Sequence, residues 1–191
     1  MITEQDRSGW FGASDSAFIM GNWKTKTFQK WWLQKLGIDS SHYTTTAMNA
    51  GTYYEHAVLE YIGAERRDHQ IIIPDLLLRV NLDGDAPGKI HEVKTHKAEK
   101  EFKVTKAYWQ QVQVQSFAKL TVEKIIPAAE IVSYGLTEAD YRNFFNSIDP
   151  DRIKRHPVAY DPSFIEGYLP RLRYLGECLR KGVFPSDRAD L

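Results

Sequence analysis

Hydrophobic and polar positions in this chain recur with two periods, and the switches between them lay out the expected elements. Ser14 or Asp15 caps a first short helix over SAFIM, and Gly21-Asn22 breaks the pattern. Phe28, Trp31, Trp32 and Leu36 then fall at helical spacing behind Thr25 or Thr27, predicting a second helix whose aromatics face a core or an interface. Residues 39–49, rich in Ser, Thr and His, read as a loop. Asn49 or Thr52 opens a helix to about Ile62, with Tyr54, Val58, Tyr61 and Ile62 as its apolar stripe. Residues 76–81 form a short β-compatible run, and Asp83-Gly84 followed by Pro87-Gly88 supplies turn residues that reverse the chain. A long helix over residues 102–120 follows, then a strand within 124–136 with Pro127 at its start or edge. A short strand near residues 157–160 and a last helix over 162–181, closed by Gly182, complete the pattern. With no repeat and no linker composition, the expectation is one α/β (α+β) domain over residues 1–191.

The returning strand after Gly88 concentrates the charge. Ile90, Glu92 and Lys94 share one face of it, and His91, Val93 and Thr95 the other. Asp83, closing the preceding strand, then faces Glu92. Two carboxylates converging on one point repel unless a divalent cation lies between them, and hard cations such as magnesium prefer oxygen ligands. The triplet is a weak signal by itself: with each charged type at roughly 6% of residues, Glu-x-Lys arises by chance about once in a chain of this length. A second copy, Glu101-Phe102-Lys103, does occur, in a lysine-rich stretch that reads as solvated surface. What sets the first apart is the apolar strand and Asp-Gly before it; without a metal it is an ordinary hairpin with exposed charges.

Glu55 lies about 20° from Ile62 and about 60° from Val58 around its helix, so it points inward with them. A buried carboxylate needs a partner. Either an arginine salt bridge supplies one, or Glu55 joins Asp83 and Glu92. Gln111 and Gln115 sit on the Tyr108 side of the long helix, where they read as polar surface; an inward Gln111 would instead offer a donor to a ligand oxygen.

Composition narrows the classes. The 191 residues are 42% hydrophobic and 13% aromatic, enough for a substantial core. No apolar run reaches membrane-spanning length and the first ten residues lack signal-peptide design, so a cytoplasmic protein without membrane association is expected. The single cysteine, Cys178, excludes an internal disulfide, a thiolate zinc cage and an iron–sulfur cluster. The six histidines offer no paired zinc spacing. The net charge, 25 − 25 = 0, does not announce a nucleic-acid binder, although Lys94, Lys97, Lys100, Lys103 and Lys106 recur along one segment.

Four stretches occur in an order and spacing that resemble the phage lambda exonuclease and YqaJ-type viral recombinase family, within the PD-(D/E)XK nuclease superfamily. They are RSGWFGASDSAFIMGNWKT, AGTYYEHAVLEYI, LDGD with KIHEVKT, and AYWQQVQVQSFA. The resemblance implies a restriction-endonuclease-like core, a central mixed β-sheet flanked by helices. It implies magnesium-dependent cleavage, with manganese able to substitute, of linear double-stranded DNA from the 5′ end, leaving 3′ single-stranded overhangs for phage-type recombination. By position, Asp83, Glu92, the Val93 carbonyl and Glu55 resemble the metal ligands, Lys94 the catalytic lysine, and Gln111 the active-site glutamine. Arg7 and Ser14 resemble part of a pocket for the terminal 5′-phosphate. Leu82 stands where the family usually has proline, and Asn81 replaces a phosphate-holding serine. The resemblance further implies a phage or prophage origin, a ring-like homo-oligomer, a trimer, and a single-strand annealing protein as partner. A restriction- or repair-type endonuclease and a non-catalytic DNA-binding module with a nuclease-like fold are the competing readings.

Overall fold

The computed structural model describes residues 8–39 and 45–186; Arg7 lies outside them. Its five strands form one mixed sheet in the order β1 (Arg66–Ile73), β2 (Leu78–Ala86), β3 (Lys89–Lys97), β4 (Ala128–Leu136) and β5 (Ile153–Val158). Neighbours are antiparallel except β3 and β4, which run parallel. A parallel pair requires a crossover, and α4 (Lys106–Glu123) supplies it. Before the sheet come α1 (Ser16–Ile19), α2 (Lys26–Lys35) and α3 (Thr46–Tyr61); α5 (Glu138–Arg142) precedes β5 and α6 (Pro162–Lys181) closes the described chain. This is the helix-flanked mixed sheet that the sequence led us to expect. Among the described residues no helix is long and apolar enough to cross a membrane.

The sheet separates two apolar layers. On one side Val112, Val114 and Ala118 of α4 and Ile165, Leu172 and Leu175 of α6 pack with Phe11, Phe28, Trp31 and Trp32 against Leu78, Leu82, Ile90 and Ile131. On the other, Ala50, Tyr54, Val58 and Leu59 of α3 pack against Val93, Val132, Tyr134 and Leu136. Each fully buried Leu or Phe stabilises by about 1.5–3 kcal/mol. Side-chain caps fix where the helices begin: Thr25 accepts from the Phe28 amide, Thr45 from Met48, Thr105 from Tyr108, and Asp161 from Ser163. Gly182 ends α6 in the left-handed region, φ 66°.

Several expected boundaries move. Thr45 caps α3 earlier than Asn49, so residues 46–49 are helical rather than loop. Tyr61 is exposed, and Leu59 takes its place in the buried stripe. The long helix starts at Lys106, behind the Thr105 cap, and the fifth strand, Ile153–Val158, begins and ends earlier than the stretch near 157–160. Strand β1 was not anticipated: it is an edge strand whose first half, Arg66-Arg67-Asp68-His69, hides the alternation behind charge. The reversal between β2 and β3 uses Pro87-Gly88 alone, with Gly88 at φ 67°. Asp83-Gly84 is inside β2.

Buried Asp140 ties α5 to the rest. Its carboxylate accepts from the Thr137 amide and hydroxyl at 2.8 Å, from Arg152 at 2.5 Å and from the Tyr54 hydroxyl at 3.2 Å. Burial opposes its charge, but Arg152 and Thr137 overcome that and hold its pKa down from the ordinary 3.8 to about 2. A carboxyl depressed in the folded state stabilises fully above its unfolded value and loses that contribution as pH falls toward the folded one. Asp140→Asn is therefore expected to cost about 2 kcal/mol at pH 7. The difference from wild type should shrink from about pH 4 downward and vanish near pH 2, which urea melts across that range will measure.

Candidate active site

The site forms where the sheet opens. The β2–β3 ladder holds only Ala86↔Lys89, Asp85↔Ile90 and Gly84↔His91, whereas β3 stays paired with β4 from Lys89 to Lys97. Strict alternation in β2 also fails here. Leu82 belongs to the core on the α4 side, and so does Asp85, which meets Lys119 of α4 at 2.6 Å. Gly84 lies against α3, where an added Cβ would stand 2.4 Å from Leu59 Cδ2. Opposite, in β1, Asp68 takes φ 53°, in the left-handed region. The irregularity leaves Asp83 in the gap, where its Oδ2 accepts the Val93 amide at 2.8 Å. Because the N–H and C=O of a strand residue point to the same edge, the Val93 carbonyl also faces the side that β2 has vacated.

Acidic groups reach this gap from both layers. Glu92, on the α4 face of β3 and 1% exposed, accepts Lys94 Nζ and Gln111 Nε2 on Oε1 and Gln115 Nε2 on Oε2, each at 2.5 Å. Glu55 comes from α3 on the opposite face. Burial raises its pKa to about 7, reinforced by Glu92 and Asp68 and opposed by Lys94. Asp83 is driven well above the ordinary aspartate value by burial and by the charges of Glu92 and Glu55, against Lys94 and the Val93 amide. Burial works against the Lys94 ammonium, yet Glu92 and Asp83 outweigh it and raise its pKa above the ordinary lysine value. Lys94 also sits 5.1 Å over the Tyr108 ring.

Glu55, Asp83, Glu92, Lys94, Gln111 and the Val93 backbone are thus brought together as the sequence indicated. Glu55 lies within reach of the charges of Glu92, Asp68 and Lys94. Asn81 differs: its side chain is bound to Gln70 across the β1–β2 ladder at 2.8 Å, and it reaches the site through its main-chain carbonyl, which accepts from Gln115 at 3.2 Å. Ser14 is exposed on the short 3-10 turn Ala13–Asp15 and lines a pocket with Thr27, Lys30 and Gln34. Two neighbours of the site carry no site role in the sequence reading: Asp68, whose charge acts on Glu55, and Gln115, whose signal is its i, i+4 spacing from Gln111 on one helix face.

The donor set suits a hard divalent cation. Three carboxylates face one lysine here, and burial first, then their mutual repulsion, raises the proton affinity of Glu55 and Asp83. Among the described residues no three His, Cys, Asp or Glu side chains stand close enough together to hold a metal ion as they are placed. Like charges keep apart, with Glu92 leaning on Lys94 and the glutamines and Asp83 on the Val93 amide.

No protein-family model matches the sequence, and no curated protein matches it. Solved structures do. An alkaline exonuclease, LHK-Exo, from Laribacter hongkongensis superposes with TM-score 0.66 at 18% identity, over 92% of this chain and 90% of that one. The structure of LHK-Exo in complex with dAMP gives TM-score 0.69 at 19% identity, over 94% and 93%. A phage-related exonuclease from Haemophilus somnus 129PT gives 0.62 at 13% identity, over 91% and 92%. At such identities the likeness establishes the fold: the chain folds as these exonucleases do, with the mixed nuclease-type sheet that its sequence motifs suggested.

Proposed function

We propose that the protein is a magnesium-dependent exonuclease that digests linear double-stranded DNA from 5′ ends and leaves 3′ overhangs. The observation that carries this reading is the meeting of Glu55, Asp83, Glu92 and Lys94 at the gap between β2 and β3. The exonucleases that share its fold support it, as does the mononucleotide bound by one of them.

Asp83, Glu92, Glu55 and the Val93 carbonyl would hold the cation. When bound, magnesium supplies charge neutralisation at the scissile phosphate and makes a nearby water easier to deprotonate. Glu55 and Asp83 must be ionised to bind it, so the proton that Glu55 retains up to about pH 7 is released on loading. Lys94, held against Glu92, places its ammonium where negative charge builds on the phosphate oxygens. Gln111 donates its amide at the same edge and orients Glu92. Recognition of a 5′-phosphate is assigned to Ser14 with Arg7, which donate hydrogen bonds and positive charge. A ring-shaped homo-oligomer would carry the substrate through its centre, handing the 3′ overhang to a single-strand annealing protein.

The test uses linear duplexes with 5′-phosphate or 5′-hydroxyl ends and a closed circle, each with and without magnesium. The 5′-phosphorylated duplex should be consumed to mononucleotides only with magnesium, the hydroxyl end more slowly, and the circle should survive. A nicked or linearised circle would replace the exonuclease reading by an endonuclease.

A further inference from the structure

Two buried glutamines of α4, two residues apart, are wired differently. Gln113, 0% exposed, is satisfied at both ends: its Nε2 donates to the Ala159 carbonyl at 2.8 Å and its Oε1 accepts the Asp161 amide at 2.7 Å. It staples α4 to the start of α6. Gln115, also 0% exposed, spends its Nε2 on two acceptors, Glu92 Oε2 and the Asn81 carbonyl, while its Oε1 is buried without a hydrogen-bond partner among the described residues. The reverse orientation would set Oε1 against a carboxylate and a carbonyl, two acceptors with no proton to share, so the chemistry fixes the amide this way round. A buried acceptor left unmatched lowers stability. Packing alone gives no reason to keep it.

The position of Gln115 supplies a reason. It bridges β2 and β3 just where their own ladder has ended. Lys94 and Gln111 both sit on Oε1 of Glu92, and Gln115 is the donor on Oε2. We infer that Gln115 is a positioning residue: it fixes the rotation of the Glu92 carboxylate and the spacing between the Asn81–Asp83 segment and β3, so that Asp83 and Glu92 take one divalent cation together. This rests on the metal-dependent reading above and names a residue that shapes the site without touching the cation or the DNA. Partners that orient a metal ligand typically account for 10–100-fold in affinity or activity.

The test pairs Gln115→Met, which keeps the length and removes the donor, with Gln113→Met, which removes comparable hydrogen bonds on the same helix away from the carboxylates. Mn2+ is titrated into each protein without DNA by calorimetry, alongside thermal melts and cleavage of a linear duplex over a range of Mg2+. Gln115→Met should bind Mn2+ at least about tenfold more weakly than wild type. Its cleavage should be recovered in part by excess Mg2+, with KM for DNA unchanged. Gln113→Met should melt lower yet bind Mn2+ as wild type does. Gln115→Asn, which keeps an amide too short to span both acceptors, should weaken Mn2+ in the same direction and carries the test if the methionine variant does not fold. Equal Mn2+ binding by wild type and the Gln115 variants overturns the inference alone; a wild type that takes Mn2+ but leaves DNA intact defeats the nuclease reading alone. A wild type that takes no Mn2+ overturns the inference as well.

Discussion

Lys94→Ala is expected to slow cleavage of linear duplex DNA by about 10³-fold while leaving DNA affinity close to wild type. The lysine stands two residues from Glu92 on the same face of β3, bound to its carboxylate at 2.5 Å and electrostatically coupled to Asp83 and Glu55. An amine there acts on charge that develops during reaction, whereas DNA in the ground state is held by contacts spread over the backbone. Single-turnover cleavage and fluorescence anisotropy with the same labelled duplex separate the two quantities. Lys94→Arg should restore little, because a planar guanidinium does not reproduce a compact ammonium in a gap already filled by Glu92 and Gln111. Cleavage unchanged in Lys94→Ala would remove the residue from the mechanism.

The largest effect on stability is expected at the other end of the same hairpin. Lys119 and Asp85 are both fully buried, 2.6 Å apart. Asp85 also accepts from Arg66 and pairs with His69, and Lys119 also reaches Glu123, which accepts the Gly88 amide of the β-turn at 2.9 Å. The network pins the turn and β1 to α4. Burial opposes the charge of Asp85, and the surrounding cations, Lys119 foremost, still bring its pKa below the ordinary value. Lys119→Met leaves that carboxylate in the interior without its main partner, at a cost of about 3–5 kcal/mol. In a chain of this length that corresponds to a Tm lowered by roughly 10 °C or more. Replacing both partners, Asp85→Leu with Lys119→Leu, should recover much of the loss, because the penalty lies in the unpaired charge. A single-variant Tm within about 2 °C of wild type would show that Arg66 and His69 suffice for Asp85.

What the sequence made legible follows from periodicity. The alternation of Ile90, Glu92 and Lys94 placed the last two on one face, and helical angles turned Glu55 inward; both hold. The closing helix, with Asp161 before it and Gly182 after it, has strong signals at each end and was found to its limits. Asp83-Gly84 misled because an Asp-Gly pair is a common turn, while here the missing Cβ serves a close approach of β2 to Leu59. Gln115 and the Asp85–Lys119 pair were not legible because their meaning depends on which residues face each other across α4 and the hairpin, some thirty positions apart. Local pattern carries no record of such distances. Asn81 shows the same limit in reverse: its place in the chain suggested a side chain holding phosphate, whereas its side chain binds Gln70 and its carbonyl accepts from Gln115.

The opening between β2 and β3 has a consequence for how the molecule acquires its reactivity. Glu55 arrives on a helix packed against one face of the sheet, and the glutamines that steady Glu92 arrive on a helix packed against the other. Neither docking step assembles the cluster by itself. The strand pair and α4 can bring Asp83, Glu92, Lys94 and the glutamines together, but Glu55 joins them only when α3 closes on the other face, so the full set of carboxylates exists only in the completely folded chain.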